Sequence, residues 1–208
     1  MPPAATATKA FPATKGEETR AAILTAAVEQ ASAGGFASLT IGTLAESTGL
    51  SKSGLFAHFG SKPDLQIAAL DEASRLFTEG VMMPAMKAPR GLKRVRAIFE
   101  GWINWPQRAS LPGGCPIDAA TREYHHQPGP MRDAVIERQR QLGREIGKAV
   151  LMAVETGELG ADTDPGQFTF EMFGIILGCY RTELLLGVDE SNRRARVAFE
   201  RLVEHNRT

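Results

Sequence analysis

The chain has 208 residues, with 24 lysines and arginines balanced by 24 aspartates and glutamates, so its formal net charge at pH 7 is zero. This balance excludes attraction to nucleic acid or membrane by overall charge, and any electrostatic function must depend on a local arrangement of side chains. The two cysteines, Cys115 and Cys179, are too few for a secreted disulfide framework and too far apart for a zinc-knuckle spacing, which favours the reducing cytoplasm.

The first residues of the chain differ in composition from the rest. Residues 1–16 are rich in Ala, Thr and Pro and lack the apolar stretch of a secretory signal, so we predict a disordered tail. Beyond them, apolar residues recur at helical spacing and no alternating strand pattern is found, which predicts an all-α fold of nine helices. The first of these is expected over Thr19–Ala33, where a pair of glycines ends it.

Two short helices follow the first one. Thr40 is placed to cap the second helix, Gly49 can adopt the positive φ that turns the chain, and Ser51 can cap the third helix. Ser61 then caps a long fourth helix that we expect to end at about Met86. Two short helices joined by a glycine turn after a longer helix are typical of a helix-turn-helix, in which the second short helix enters the major groove of DNA.

The sequence "LTIGTLAESTGLSKSGLFAHFGSKPDL", from Leu39 to Leu65, resembles the DNA-binding domain of the TetR family of bacterial transcriptional repressors. The resemblance runs from about Thr19 to Leu70 and implies the nine-helix architecture of that family. It implies a helix-turn-helix DNA-binding domain over residues 17–65 and an effector-binding and dimerisation domain over residues 66–208. The resemblance further implies that the protein binds a palindromic operator as a homodimer and that a small molecule releases it.

The resemblance also assigns DNA contacts to individual residues. It implies that Thr40 and Lys62 contact the DNA backbone, each at a helix N-terminus that favours phosphate. His58 is expected to reach a phosphate, and Phe56 stands where the family usually has tyrosine, so its ring can only pack against sugar or a thymine methyl. The residues implied to face the groove are Lys52, Ser53, Gly54 and Ala57. Since residues 1–65 hold five basic and five acidic side chains, we expect binding to need two copies.

The C-terminal helices suit dimerisation. The stretch Phe168–Leu186 is apolar on more than one helical face, which predicts burial on two sides. An amphipathic helix over about Ser191–His205 follows it, and in the resembling family the last two helices form a four-helix bundle across the dimer axis. The residues expected at the interface are Gly174, Gly178, Leu185, Phe199 and Leu202. A single helix buried in the core is the alternative for the apolar stretch.

The middle of the chain is expected to hold the effector. A helix expected over about Gly91–Gln107 is rich in aromatic residues. Members of the resembling family bind a small apolar effector among their middle helices, which implies a pocket here. The side chains expected to line this pocket are Met86, Phe99, Trp102, Ile103, Cys115, Asp118, Arg122, Phe173 and Tyr180. Aromatic and methionine side chains at helical spacing are also typical of an ordinary core, and that alternative stays open.

The segment "GGCPIDAATREYHHQPGP", Gly113–Pro130, gathers a thiol, carboxylates and two histidines. If a helix runs from Pro116 to about His126, Cys115 and His126 lie about 16 Å apart and cannot bind the same ion. We therefore expect no metal, no cofactor and no catalytic residue. Two alternatives to a regulator remain: a small metal- or thiol-dependent helical enzyme built around Cys115, Glu123 and His126, and a helical protein–protein adaptor.

Overall fold

The computed structural model describes residues 14–207, and every regular element in that range is helical, so the predicted all-α fold is confirmed. No helix in this range is both long and apolar enough to cross a membrane. Two of the eleven α-helices in this range, Met83–Met86 and Trp105–Arg108, are single turns, and the other nine match the number that the sequence predicts. The α-helices are α1 (Lys15–Gly34), α2 (Ile41–Thr48), α3 (Lys52–Phe59), α4 (Lys62–Phe77), α5 (Met83–Met86), α6 (Leu92–Ile103), α7 (Trp105–Arg108), α8 (Pro116–Tyr124), α9 (Pro130–Glu155), α10 (Pro165–Leu186) and α11 (Val188–His205).

The first helix begins earlier than the sequence predicts. Residues 1–13 of the predicted tail lie outside the described residues, but Thr14 caps α1 and the helix starts at Lys15 instead of Thr19. The backbone N–H of Glu17 donates to the Thr14 hydroxyl at 3.3 Å, and the Glu17 carboxylate accepts from the Thr14 backbone N–H at 2.7 Å. This reciprocal capping box satisfies two N–H groups of the first turn. The prediction of a disordered tail is therefore wrong for residues 14–16.

The long fourth helix reaches Met86 as expected, but it changes register on the way. A π-helical turn, Thr78–Met82, separates α4 from α5, and Pro84 lies in the first turn of α5. Because Pro84 has no backbone N–H, the carbonyl of Gly80 loses its usual helical partner. The Arg108 guanidinium donates to that carbonyl at 2.9 Å and to the Gly101 carbonyl at 2.9 Å, which ties the π turn to α6.

The helix predicted over Gly91–Gln107 is broken in two. It ends at Ile103, and α7 begins at Trp105 after a single non-helical residue. Pro106 explains the break because it has no N–H to offer the Trp102 carbonyl. That carbonyl instead accepts a hydrogen bond from the Tyr180 hydroxyl at 3.1 Å, which fixes α10 against the break.

The core lies where α6, α9, α10 and α11 pack together beside α4. Phe77 meets Trp102 and Trp105 edge to face, with ring centroids 5.2 and 5.1 Å apart, an arrangement that favours aromatic pairs beyond their apolar area. Phe99 and Phe199 stack with centroids 4.0 Å apart. The helices α10 and α11 are therefore part of the hydrophobic core of the single chain.

Candidate nucleic-acid interface and effector cavity

The N-terminal unit comprises α1, α2 and α3 with the turns between them, and its two short helices are both capped. The Thr40 hydroxyl accepts from the backbone N–H of Thr43 at 3.1 Å and starts α2, and the Ser51 hydroxyl accepts from the N–H of Gly54 at 3.1 Å and starts α3. Gly49 turns the chain between them with φ of 69°. Both caps lie where the sequence predicts them. Ser and Thr are common at these positions because their side chains satisfy N–H groups that the first turn leaves unpaired.

The third helix turns one face inward and the other outward. Leu55 and Phe59 are buried where α3 packs against α2 and α4, whereas Phe56 leaves 49% of its surface exposed. The Phe56 ring is therefore accessible on the outward face of α3. Of the other side chains expected to face DNA, Lys52, Ser53 and Ala57 are exposed, and Gly54 and His58 are half-buried.

Thr40 and Lys52 lie together at the start of α2. A Cβ placed on Gly42 would lie 3.7 Å from the Thr40 hydroxyl oxygen and 3.8 Å from Cε of Lys52. The Thr40 hydroxyl, the end of the Lys52 side chain and the backbone N–H groups of the first turn of α2 are thus close together at the surface. The electrostatics of this point favour an anion such as a phosphate.

Lys62 has a role that the sequence did not predict. Its ammonium donates to the carbonyl of Ala37 at 2.8 Å, in the middle of a short 3-10 turn, Phe36–Ser38, that follows α1. The side chain is exposed, so its hydrogen bond to Ala37 can be exchanged for a phosphate without opening the core. A phosphate contact by Lys62 stays a prediction.

The N-terminal unit is held to the rest of the protein by α8 and the loop before it. The Glu123 carboxylate accepts from the backbone N–H of Phe36 at 2.7 Å and of Ala37 at 2.6 Å. In the preceding loop, Gly113 N–H donates to the Ser32 hydroxyl at 3.1 Å, and that hydroxyl donates to the Gly114 carbonyl at 2.8 Å. The sequence offered no signal for these contacts because their partners are far apart along the chain.

The same contacts bear on the enzyme alternative. Both oxygens of Glu123 are used by backbone donors, Cys115 is buried, and His126 is exposed beyond the end of α8. The helix ends at Tyr124 instead of His126. Within residues 14–207, no group of three or more His, Cys, Asp or Glu side chains is placed to hold a metal ion.

Two adjoining cavities open among the middle helices. The inner cavity, about 180 Å³, and the outer cavity, about 290 Å³, share four lining side chains: Phe77, Ile117, Gln139 and Leu142. The inner cavity is further lined by Trp102, Cys115, Asp118, Thr121, Phe173, Ile176, Leu177 and Tyr180. The outer cavity is further lined by Ser74, Thr78, Met82, Met83, Met86, Arg138, Gln141 and Glu145.

Six of the nine predicted pocket side chains line these cavities. Trp102, Cys115, Asp118, Phe173 and Tyr180 surround the inner cavity, and Met86 borders the outer one. The other three lie elsewhere. Phe99 stacks on Phe199 in the core, Ile103 is fully buried outside either lining, and Arg122 projects into solvent. Phe99 and Ile103 therefore face away from these cavities on α6, and Arg122 pairs with Asp118 on the same face of α8 but one turn further along, outside both linings.

Several lining side chains were not predicted. Gln139 and Leu142 come from α9, where they lie three residues apart on one face, and Phe77 comes from α4 just before the π turn. The helical periodicity of α9 was a usable signal for its inward face. Which neighbour that face meets depends on tertiary packing and could not be deduced from the sequence.

The ionisable groups of the inner cavity are shifted towards their neutral forms. Burial raises the pKa of the Cys115 thiol to about 12 and raises the pKa of the Tyr180 hydroxyl well above its usual value. Burial also raises the pKa of Asp118, while the charge of Arg122 and its hydrogen bond oppose that rise. Asp118 pairs with Arg122 one turn along α8. The cavity therefore combines neutral polar groups with one carboxylate.

The raised pKa of Asp118 predicts a pH-dependent effect on stability. A carboxyl whose pKa is higher in the folded than in the unfolded state favours folding while protonated, and that contribution is lost as the pH rises through the folded pKa. Asp118→Asn does not titrate, so its unfolding free energy relative to the wild type should rise between about pH 4 and about pH 7. Urea unfolding of both proteins across this range measures the difference. A difference that stays constant or falls with pH contradicts the inferred shift.

One face of α10 is apolar and exposed. Phe170, Leu184 and Leu185 leave 72%, 79% and 77% of their surfaces exposed, and Leu177 and Leu186 are exposed beside them. A Cβ on Gly174 or Gly178 would meet nothing within 4 Å. Of the predicted interface residues, Gly174, Gly178 and Leu185 lie on this face.

Phe199 and Leu202 do not lie on it. They leave only 2% and 5% of their surfaces exposed, because α11 turns them inward, where Phe199 stacks on Phe99. Their assignment to the dimer interface was wrong. The amphipathic face of α11 packs in the core of its own protomer.

The fold and the site together define a class of protein. A helix-turn-helix unit with a capped, outward-facing third helix, joined to a larger helical body, is the organisation of a DNA-binding regulator. Two family models match the chain: bacterial regulatory proteins of the tetR family over residues 23–69, and the tetracyclin repressor-like C-terminal domain over residues 91–199. The chain therefore belongs to the TetR family of DNA-binding transcriptional regulators.

Solved structures agree with this fold. A TetR-family transcriptional regulator from Cytophaga hutchinsonii superposes with a TM-score of 0.82 at 17% identity, over 95% of this chain and 99% of the other. A TetR transcriptional regulator from Chloroflexus aurantiacus gives 0.80 at 24% identity, over 92% and 95%. AibR in complex with isovaleryl coenzyme A and operator DNA gives 0.64 at 21% identity, over 78% and 86%. No curated protein sequence matches the chain significantly.

Proposed function

We propose that this protein is a repressor that binds a palindromic operator as a homodimer and leaves it when a small molecule enters the cavities. The observation that carries the proposal is the double role of α8. Cys115 and Asp118 at its start line the inner cavity, and Glu123 near its end binds the N-terminal unit. A ligand that shifts α8 therefore acts on one of the two elements that position the DNA-binding helices, the other being α4.

The exposed face of α10 supports a homodimer. Large apolar side chains rarely stay exposed in numbers on one face, and the stripe made by Phe170, Leu177, Leu184 and Leu185, interrupted by Arg181, has two glycines that allow close approach of a second helix. A twofold dimer pairs this face with itself, so no other partner surface is needed. The two copies of α3 would then enter successive major grooves about 34 to 36 Å apart on a palindromic site.

Release requires only a modest difference in affinity. An effector that favours a dimer with wrongly spaced recognition helices weakens operator binding about 5- to 150-fold for a coupling of about 1 to 3 kcal/mol. AibR, which shares the fold, is known in complex with isovaleryl coenzyme A and operator DNA, so the fold accommodates both kinds of partner in one complex. Because it acts on DNA, we also propose that the protein is cytoplasmic, and that it is not an enzyme.

The test is a gel shift with the DNA upstream of its own gene, repeated over a range of salt concentrations and with a panel of small molecules. A salt-sensitive shift that a small molecule abolishes is the expected result. Absence of any salt-sensitive shift, with this DNA and with DNA fragments selected from a random pool, would favour the adaptor alternative. Stoichiometric zinc or iron in the purified protein would favour the enzyme alternative.

Lys62→Ala tests one phosphate contact. The variant should bind the operator more weakly and reduce the slope of log affinity against log salt by about one unit, because one fewer counterion is released. Lys93→Ala is the matched control, since Lys93 is an exposed lysine on α6, outside the N-terminal unit. Equal slopes for Lys62→Ala and wild type would remove Lys62 from the phosphate contacts.

A further inference from the structure

The inner cavity has the chemical character of a site for an organic cation. Trp102 and Phe173 meet edge to face with centroids 5.0 Å apart, and Phe77 meets Trp102 at 5.2 Å. With Tyr180 on the same lining, four aromatic side chains border a space of about 180 Å³. The faces of aromatic rings carry negative potential and attract cations, most strongly where water is excluded.

The cavity also offers a negative charge. Among the described residues that line it, Asp118 carries the one carboxyl group, and Arg122 stabilises the charged form of that group while burial opposes it. The Asp118 side chain is only 16% exposed and faces the cavity from the first turn of α8. Its partner Arg122 is 69% exposed and can move into solvent when a ligand takes its place.

The outer cavity extends this site with apolar surface. Met82, Met83 and Met86 form one side of it, and flexible thioether side chains adapt to apolar groups of varied shape. The charged side chains at its rim already have partners. Arg138 pairs with Asp71 on α4, and Glu145 accepts from Lys148 at 2.7 Å. Among the residues that the structure describes, the rim therefore offers no unpaired cation for a carboxylate ligand.

We infer that the effector is an amphipathic organic cation whose ammonium lies between Asp118 and the aromatic rings and whose apolar body passes Phe77 and Leu142 to the methionines. This inference rests on the proposed effector function. An organic acid of the same shape would bring a second negative charge beside Asp118 and would lose its hydration without gaining a partner. A neutral analogue would keep the apolar contacts but not the charge interaction.

Three probes of nearly equal shape test the inference: 4-phenylbutylamine, 4-phenylbutanol and 4-phenylbutyrate. Titration calorimetry with the full chain at neutral pH should show the amine binding at least about tenfold more tightly than the alcohol, and the acid most weakly. Two variants of α8 should have opposite effects. Asp118→Asn should abolish the preference for the amine, and Arg122→Ala should strengthen amine binding because it leaves the carboxylate unpaired.

Glu137→Gln is the matched control, because Glu137 is an exposed carboxylate on α9 that pairs with Arg144 and lines neither cavity, so the preference should stay unchanged. Circular dichroism melting establishes that each variant is folded before binding is measured. Failure of the amine to bind, tighter binding of the acid, or a preference that survives Asp118→Asn would overturn the inference. The gel shift separates the two proposals: an amine that binds through Asp118 yet leaves the operator complex intact would refute release but not the ligand class.

Discussion

Gly113→Ala should lower the free energy of unfolding by about 2 to 3 kcal/mol and weaken operator binding, because it forces apart the contact between α1 and the loop before α8. A Cβ on Gly113 would lie 1.8 Å from the Ser32 carbonyl oxygen and 2.9 Å from Cα of Ala33. Both are backbone atoms of α1, so no side chain can move aside. The loop must withdraw, and the two hydrogen bonds that join Ser32 to Gly113 and Gly114 lengthen or break.

Urea unfolding and operator titration measure the two effects. The matched control is Gly143→Ala, since a Cβ there meets nothing within 4 Å and the residue lies inside α9. That variant should be more stable than the wild type by about 0.5 to 1 kcal/mol, because alanine loses less conformational entropy in a helix. If Gly113→Ala unfolds at the same urea concentration as the wild type and binds the operator equally well, α1 and the loop are not packed as described.

The two glycine variants also separate global stability from the position of the DNA-binding unit. If Gly113→Ala loses operator affinity under conditions where it stays folded, the loss must come from the way the N-terminal unit sits on α8. Glu123 makes the second contact there through two backbone N–H groups. A displaced loop leaves the unit held by that contact and by α4, whose Gln66 donates to the Phe36 carbonyl at 2.8 Å.

The elements that the sequence predicted well are those with local signals. Thr40, Ser51 and Ser61 each cap the helix that they were expected to cap, because an N-cap depends only on residues within one turn. The start of α1 was misplaced although its signal was also local. Thr14 followed by Glu17 is a capping box, and reading it would have moved the helix start to Lys15.

The side chains that were misassigned lie on helices whose faces have more than one neighbour. Helical periodicity shows that Phe99 and Phe199 point inward, but not that they point at each other. The same limit applies to Lys62, whose ammonium donates to the Ala37 carbonyl. It also applies to Glu123, whose carboxylate accepts from the backbone N–H groups of Phe36 and Ala37. Contacts between distant parts of the chain follow from tertiary packing, and a single sequence carries no direct signal for them.

Leu185→Glu should convert the proposed dimer into a monomer. Leu185 leaves 77% of its surface exposed in the protomer, so the substitution removes little from the core, and the melting behaviour of the monomer should be preserved. In a twofold dimer the change occurs twice at one interface, and each copy buries an unpaired carboxylate. A cost of about 3 kcal/mol or more per dimer raises the dissociation constant by more than about a hundredfold.

Operator binding should fall further than the loss of one contact would explain. Residues 1–65 carry as many acidic as basic side chains, so a single N-terminal unit has little electrostatic attraction for DNA, and joining two units contributes about 10² to 10⁴ in affinity. Analytical ultracentrifugation and gel shift measure the two effects together. Leu151→Glu is the matched control, because Leu151 is also an exposed leucine but lies on α9, outside the α10 stripe. A Leu185→Glu protein that stays dimeric would move the interface away from this face of α10, and a monomer that binds the operator as tightly as the wild type would remove the need for two copies.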